Sequence, residues 1–261
     1  MPVGLANRAG ICALAVMAKA PRSGEVKTRL VPRLRAEEAA ILSSCFLQDI
    51  TENFIAASRL VPVQGYVAYS PPGSEALFRD LVLPEILLLP PHRVGLGYSL
   101  LRAAEDLLQA GYGSACLVNA DSPTLPTSVL VEAVEALRAP GDRVVLGPAS
   151  DGGYYLIGLK YPHKRLFDDI AWSTELVFQQ TVERAASLAL DVVTLPTWYD
   201  VDDAASLRWL CEEVVAGRSA AEFIAAGYPA PHTAAYLRGL VALRGADTLG
   251  IDGLAGERAA R

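Results

Sequence analysis

A short segment near the start of the chain concentrates four cations in a protein whose formal net charge is −6. The segment spans residues 19–30, and its cations are, in order, Lys19, Arg22, Lys27 and Arg29. Gly24 lies between them and would let the backbone approach a ligand closely. Because an arginine fork and a lysine point charge both bind phosphate oxygens, the segment is a candidate cradle for a nucleotide pyrophosphate. A solvated surface loop is the alternative. The segment matches neither a P-loop nor a dinucleotide-binding fingerprint.

A second candidate is Asp121, which follows a short β-like run and precedes Ser122-Pro123. Mg²⁺ prefers hard oxygen ligands, usually one or two carboxylates completed by substrate phosphates. Pro123 stiffens the turn, so the carboxylate would be held in place. Capping of the next helix is the alternative use, but Asp121 stands five residues before Pro126, too early for that role. The position favours a metal ligand.

The sequence Asp151-Gly152-Gly153 follows another β-like run. Two glycines could form the floor beneath a sugar or an acceptor, with Asp151 facing the cleft as an acceptor-orienting group or base. An ordinary tight hairpin turn has the same composition. Both interpretations stay open on the sequence alone.

Two later segments could join the same cleft. Trp172 and Thr174 stand just ahead of a helical pattern, where Thr174 is expected to be an N-cap or else to contact substrate. After the last β-like run, Asp202 and Asp203 open another helical pattern. One of these two could cap the helix, and one could be a second metal ligand opposite Asp121.

The elements that must position these residues alternate between short β-like runs and longer helical patterns. The predicted strands are 11–18, 63–70, 86–89, 115–119, 143–147, 154–159 and 191–195, and the predicted helices are 36–58, 98–110, 126–138, 175–188 and 204–216. This alternation predicts an α/β fold, a three-layer sandwich in which helices cover both faces of a mostly parallel sheet. In such sheets ligands bind beyond the carboxyl ends of the strands, which is where the candidate residues fall.

Length and composition favour one large domain. Hydrophobic residues make up 52% of the 261 residues, which is enough for one core and excludes disorder as the main state. We predict a single domain over residues 1–244, with its core at about 11–216 and a helical appendage at 217–244. Residues 245–261 are small, charged and glycine-rich, and are predicted to be a flexible tail.

Several classes of function are disfavoured. The acidic balance lacks the basic footprint of a nucleic-acid binder, and no apolar run reaches the roughly 20 residues of a membrane span. The run at 11–18 is interpreted as a buried strand rather than a secretory leader, because the cationic segment after it needs that strand. The four cysteines form no C-x-x-C pair and lie in apolar stretches, which is typical of buried free thiols in a reducing cytoplasm.

Five motifs together resemble a bacterial family of GT-A-fold transferases once described as a domain of unknown function. This family is similar to the guanylyltransferase of cofactor F420 synthesis and is associated with radical-SAM, selenium- and arsenosugar-type genes. The resemblance covers about residues 11–210. The motifs, in the family's order, are Lys19-Ala20-Pro21 with Gly24-Glu25-Val26-Lys27-Thr28-Arg29-Leu30, then Asp121-Ser122-Pro123, Asp151-Gly152-Gly153-Tyr154, Trp172-Ser173-Thr174 and Asp200-Val201-Asp202.

The resemblance implies a nucleotide-diphospho-sugar-transferase-like fold and a divalent metal, Mg²⁺ or Mn²⁺. It implies that Asp121 and Asp202 are the metal ligands and that Lys27 and Arg29 bind phosphate. One stretch departs from the family, since Gly95-Leu96-Gly97-Tyr98-Ser99 lacks the acidic and arginine members expected there.

Three functions are compatible with these observations. The leading one is glycosyl transfer from a nucleotide-diphospho-sugar to a small-molecule acceptor. The second is nucleotidyl transfer, in which a nucleoside triphosphate condenses with a phosphorylated small molecule and pyrophosphate is released. The third, suggested by the altered stretch at 95–99, is non-catalytic nucleotide binding.

Overall fold

The structure is a computed structural model that describes residues 8–31, 33–92, 95–217 and 226–249. Its strands are β1 (Cys12–Lys19), β2 (Val63–Ser70), β3 (Leu87–Leu89), β4 (Ser114–Val118), β5 (Arg143–Pro148), β6 (Tyr154–Leu159) and β7 (Asp191–Thr194). Its α-helices are α1 (Ala36–Ser58), α2 (Glu75–Leu81), α3 (Leu96–Gln109), α4 (Thr127–Arg138), α5 (Val177–Ser187), α6 (Ala204–Val214) and α7 (Pro231–Arg244).

The described strands form one seven-stranded sheet in the order β3-β2-β1-β4-β6-β5-β7. All neighbouring pairs are parallel except those of β6, which runs antiparallel to both β4 and β5. The predicted α/β fold with a mostly parallel sheet is confirmed. The reversal at β6 follows from the short hairpin that joins it to β5.

Alternation along β1 shows how the sheet builds two cores. Leu14 and Val16 face one core together with α1, α4, α6 and α7, whereas Ala13 and Ala15 face a second core together with α3 and α5. Successive side chains of a strand point to opposite faces, so one fully buried strand serves both layers. Helices therefore cover both faces, as the three-layer prediction requires.

The predicted elements agree closely with the observed ones. Helix α1 and strands β2 and β6 have the predicted bounds, and the other predicted elements differ by one or two residues at an end. Helix α2 was not predicted. Its seven residues follow the Pro71-Pro72-Gly73 turn, a stretch in which turn residues hide a short helical pattern.

The C-terminal helix α7 joins the α1 side of the sheet. The buried Asp49 of α1 accepts hydrogen bonds from the backbone N–H groups of His232 (2.9 Å) and Thr233 (2.8 Å), which begin α7. Leu237 of α7 is fully buried in the α1 core. Residues 246–249 form a short 3₁₀ helix, and the rest of the predicted tail, 250–261, lies outside the described residues.

Two further predictions can be compared with the described residues. The four cysteines are all buried and free, as predicted. No helix within the described ranges combines the length and the apolar character needed to cross a membrane.

Candidate functional site

The predicted site residues gather at the carboxyl edge of the parallel strands. Asp121 follows β4, and its carbonyl oxygen accepts a hydrogen bond from the N–H of Val201 at 2.9 Å. This bond ties the loop after β7 to the end of β4, although 80 residues of sequence separate them. Asp121 and Asp202 are thereby brought to the same place.

Lys27 lies between these two aspartates. Its Nζ is 2.5 Å from Oδ1 of Asp121 and 3.0 Å from Oδ1 of Asp202, and it donates to the carbonyl of Val201 at 2.6 Å. The Lys27 side chain is only 5% exposed, and these three acceptors match the three donors of an ammonium group. Burial would lower the pKa of Lys27, but the charges of Asp121 and Asp202 outweigh it and raise that pKa. Lys27 is therefore charged and faces the aspartates.

The backbone of Lys27 is unusual. It has φ 49° and ψ 36°, in the left-handed region that non-glycine residues seldom adopt. Such a conformation costs roughly 1–3 kcal/mol and persists only where surrounding contacts hold it. The three bonds at Nζ, together with the ring of Phe46 at 5.3 Å, are contacts that hold it. Strain of this kind concentrates at functional sites.

The other three cations of the segment have different surroundings. Lys19 donates to the carbonyl of Glu25 at 2.9 Å, and Arg22 donates to the hydroxyl of Ser74 at 3.3 Å. Arg29 is exposed, and its guanidinium forms no hydrogen bond within the described residues. Gly24 has φ +75°, which explains the glycine in the turn between Lys19 and Lys27.

Two cavities meet at the aspartate pair. The first, which we call the basic cavity, has a volume of about 320 Å³ and is lined by Lys19, Lys27, Thr28, Arg29 and Ser43 among others. The second, which we call the acidic cavity, has a volume of about 590 Å³ and contains Asp151, Trp172 and Asp200 in its lining. Asp121, Asp202 and Arg29 line both. The crevice is therefore continuous, and the aspartate pair stands at its junction.

Helix capping decides between Asp202 and Asp203. Asp203 is the N-cap of α6 and accepts hydrogen bonds from the N–H groups of Ala205 (3.0 Å) and Ser206 (2.8 Å). These bonds and that from the Ser206 hydroxyl lower the pKa of Asp203. Asp203 is thereby committed to the helix, and Asp202 faces Lys27.

The Asp-Gly-Gly segment forms a hairpin turn and also borders the acidic cavity. Oδ1 of Asp151 accepts a hydrogen bond from the N–H of Gly153 at 2.8 Å, and both residues line the cavity. Gly152 has φ +90°, and a Cβ atom there would stand 2.3 Å from the carbonyl oxygen of Glu175. Gly152 therefore allows the hairpin to pack against the segment before α5, rather than forming part of the cavity lining.

Trp172 and Thr174 both line the acidic cavity. The ring of Trp172 meets that of Tyr154 edge to face, with centroids 6.4 Å apart. The expected N-cap role of Thr174 is wrong, because α5 begins at Val177 and its N-cap has no side-chain hydrogen bond. Instead, the Thr174 hydroxyl donates to the carbonyl of Ala171 at 2.7 Å and orders the turn before the helix.

Asp200 belongs to the motif Asp200-Val201-Asp202 but was assigned no role from the sequence. It lines the acidic cavity, and burial, followed by the charges of Asp151 and Asp202, raises its pKa to about 7. Its spacing from Asp202 could have indicated its place in the site, because residues two apart in an extended segment point to the same face. Asp200 stands two residues before Asp202.

The chemistry of the aspartate pair fits a divalent ion completed by substrate. Asp121 and Asp202 converge on one cation, Lys27, and their side chains remain 37% and 45% exposed. Within the described ranges, no group of three or more His, Cys, Asp or Glu side chains could hold a metal. Two carboxylates plus substrate phosphates are nevertheless a common ligand set for Mg²⁺. The pair therefore fits an ion that takes two ligands from these carboxylates and the remaining ones from a bound molecule or from water.

Comparison with known proteins agrees with this reading of the fold. Residues 54–174 match the model of a family described as an uncharacterized protein conserved in bacteria (DUF2064), which confirms the resemblance predicted from the motifs. A crystal structure from Desulfovibrio desulfuricans G20, designated a candidate nucleotide-diphospho-sugar transferase, is 29% identical, with a TM-score of 0.74. The match covers 89% of this chain and 96% of that one. The predicted sugar-transferase-like fold is confirmed.

More distant structures include nucleotidyltransferases. One is CMP:2-keto-3-deoxy-manno-octonic acid synthetase in complex with CTP, 11% identical over 79% of this chain and 99% of that one, with a TM-score of 0.49. Another is a cytidylyltransferase from Leptospira borgpetersenii, 10% identical over 89% of this chain and 94% of that one, with the same TM-score. At that distance they do not identify a reaction for this chain. No curated protein matches the sequence.

Proposed function

We propose that this protein is a transferase that uses a nucleotide-activated donor, and that it transfers a glycosyl group from a nucleotide-diphospho-sugar to a small-molecule acceptor. One observation carries the proposal. Lys27 joins Asp121 and Asp202 at the junction of a cationic and an acidic cavity. Such a junction suits a diphosphate on one side and a reacting acceptor on the other.

The basic cavity is the proposed site of the donor phosphates. Arg29 is exposed at its rim and offers a planar fork to phosphate oxygens. Lys19 adds positive charge along the same wall, whereas the charge of Lys27 is paired with Asp121 and Asp202. A Mg²⁺ or Mn²⁺ ion held by Asp121 and Asp202 would supply Lewis-acid stabilisation of charge on the leaving diphosphate.

The acidic cavity is the proposed site of the transferred sugar and the acceptor. An acceptor hydroxyl oxygen bonds to the anomeric carbon while the bond from that carbon to the diphosphate oxygen breaks. The nucleoside diphosphate leaves with the bonding electrons, and Asp151 takes the hydroxyl proton. Gly153 and Trp172 line the same space beside Asp151, which supports a role for them in binding the sugar or the acceptor.

Nucleotidyl transfer is the second candidate, because the same cationic loop and aspartate pair suit a triphosphate. In that reaction an acceptor phosphate oxygen attacks the α-phosphorus, and pyrophosphate leaves. The designation of the 29% identical structure supports the glycosyl alternative. The margin between the two reactions is small, and their products differ.

Product analysis tests the proposal. The full-length protein is incubated with Mg²⁺ and a panel of nucleotide-sugars and nucleoside triphosphates, each with pooled alcohol and phosphorylated acceptors, and ³¹P NMR follows the phosphates. We expect a nucleoside diphosphate from the wild-type protein and none from Asp121→Asn. The matched control is Asp80→Asn, which removes an exposed carboxylate on α2 outside both cavities. Pyrophosphate would instead establish nucleotidyl transfer.

Binding without turnover would support the third candidate, a nucleotide-binding protein without catalytic activity. A thermal-shift screen of nucleotides with Mg²⁺ supplies that comparison, because a ligand specific for the native state stabilises it in proportion to ln(1 + [L]/Kd). If nucleotides bind tightly but no combination of donor and acceptor yields a nucleoside diphosphate or pyrophosphate, the transferase proposal is wrong and the binding function takes its place.

A further inference from the structure

Besides its carboxylates, the acidic cavity is lined by a group of apolar side chains, which we call the apolar wall. Leu96 and Leu100 of α3 line it, as do Tyr154, Trp172 and Val177. Trp172 and Tyr154 meet edge to face with an interplanar angle of 82°, so two aromatic rings border the same space. Leu96 is half exposed although its side chain is large and apolar. This wall suits a ligand with an apolar ring or chain.

The same cavity also carries negative charge. Asp121 and Asp202 line the cavity but are paired with Lys27. Three further carboxylates line it, from Asp151, Glu175 and Asp200, and the single cationic side chain among its described lining residues is Arg29. Arg29 also lines the basic cavity, where it faces the proposed donor phosphates. A negatively charged acceptor would approach several like charges in a partly enclosed space, which is unfavourable.

Resting on the transferase function proposed above, we propose that the acceptor is an alcohol that has an apolar ring or chain and carries either no net charge or a positive charge. Its ring or chain packs on Trp172 and Leu96, and its hydroxyl faces Asp151. Its neutral or positively charged end faces Glu175 and Asp200. Molecules that carry a phosphate or a carboxylate are excluded by charge. The acidic cavity thus selects acceptors by the sign of their charge and by an apolar face.

Three phenols of one shape test this selection. Tyramine, 4-ethylphenol and 3-(4-hydroxyphenyl)propanoate share a ring and differ in charge at neutral pH. We expect the full-length protein to bind tyramine most tightly and the propanoate at least about tenfold more weakly, with 4-ethylphenol between them. Calorimetry at low salt measures the three affinities.

Two variants separate the charge effect from the ring effect. Glu175→Gln should reduce the preference for tyramine over the propanoate by about threefold and leave 4-ethylphenol unchanged, because it removes a charge without touching the proposed base. Trp172→Ala should weaken all three by about tenfold, and Trp172→Phe should recover most of the loss. Melting temperatures of each variant confirm that it is folded, and Asp80→Asn is the control for a generic loss of negative charge.

The proposal is overturned if the propanoate binds as tightly as tyramine, if none of the three phenols binds, or if Trp172→Ala leaves their affinities unchanged. Nucleoside diphosphate affinity is measured in the same preparations. If nucleotides bind and turn over while the phenol order fails, the transferase function stands and only the acceptor class is wrong. If the phenol order holds while no donor is consumed, the transferase function fails instead.

Discussion

The two cavities that meet at Asp121 and Asp202 are built in different ways. The basic cavity takes its cations from one continuous segment, residues 19–29, which follows a single strand. The acidic cavity takes its carboxylates from the ends of β4 and β7, from the β5–β6 hairpin and from the turn before α5. The side proposed for the donor is therefore local in sequence, whereas the side proposed for the acceptor depends on tertiary packing. This difference predicts which changes affect one side alone.

The largest loss of nucleotide affinity is expected from Asp121, because this residue lines both cavities and a change there cannot affect one side alone. Asp121→Asn removes one of the two carboxylates that face Lys27, so Mg²⁺-dependent nucleotide binding should weaken by about 100-fold or more, which is about 2.7 kcal/mol. Calorimetry with Mg²⁺ measures it, and Asp80→Asn should bind like the wild type. An unchanged affinity would remove Asp121 from the metal site.

A change confined to the acidic side should destabilise the fold and leave the basic side intact. Gly152→Ala places a Cβ atom 2.3 Å from the carbonyl oxygen of Glu175 at φ +90°, and should cost about 2–4 kcal/mol. The matched control is Gly111→Ala, which has φ +94° with open space around it and should cost about 1 kcal/mol. Denaturant unfolding compares the two, and equal losses would show that the close packing of the hairpin contributes nothing.

A change confined to the basic side should affect phosphate recognition alone. Arg29→Ala removes an exposed guanidinium that forms no hydrogen bond within the described residues, so it should weaken a nucleoside diphosphate by about tenfold. The corresponding nucleoside should bind almost as before, and the melting temperature should not change. Equal weakening of both ligands would show that Arg29 does not recognise phosphate.

The smallest expected effect is a change in Mn²⁺ affinity on replacing Lys27, which contacts the two aspartates, whereas Arg29 is expected to contact phosphate. Lys27→Met removes the cation between Asp121 and Asp202, so the nucleotide-free protein should bind Mn²⁺ about fivefold more tightly. Electron paramagnetic resonance of free Mn²⁺ measures this without turnover. Weaker Mn²⁺ binding would show instead that Lys27 positions the two carboxylates for the ion.

Much of the fold could be predicted from the sequence, because alternation and turn residues are local signals. Strand β2 and helix α1 have the predicted bounds for that reason. The antiparallel course of β6 depends on the hairpin interpretation of Asp151-Gly152-Gly153, which the sequence left open, because a strand's pattern of burial does not reveal its direction. Helix α2 was missed because seven residues after a proline-rich turn carry little periodicity.

The sequence identified most of the residues that meet at the candidate site, but it did not reveal which of them contact each other. From the family resemblance, Lys27 was expected to bind phosphate, whereas in the structure its three donors face Asp121, Asp202 and a backbone carbonyl. The choice between Asp202 and Asp203 was left open. The buried ion pairs of Lys27 and the cap formed by Asp203 both depend on segments far apart in the chain. Asp200 was assigned no role because its position in the cavity depends on the tertiary path of the loop after β7.

The altered stretch at 95–99 has a consequence for the history of this chain. A Cβ atom at Gly97 would stand 2.5 Å from the indole of Trp172, so the two residues share one volume. A relative with a larger residue at position 97 must carry a smaller one at 172, and we expect these two columns of an alignment to change together. Because the tryptophan belongs to a motif that the chain shares with the family, we expect glycine at 97 to be kept in relatives that keep this tryptophan, whatever else changes in the stretch at 95–99.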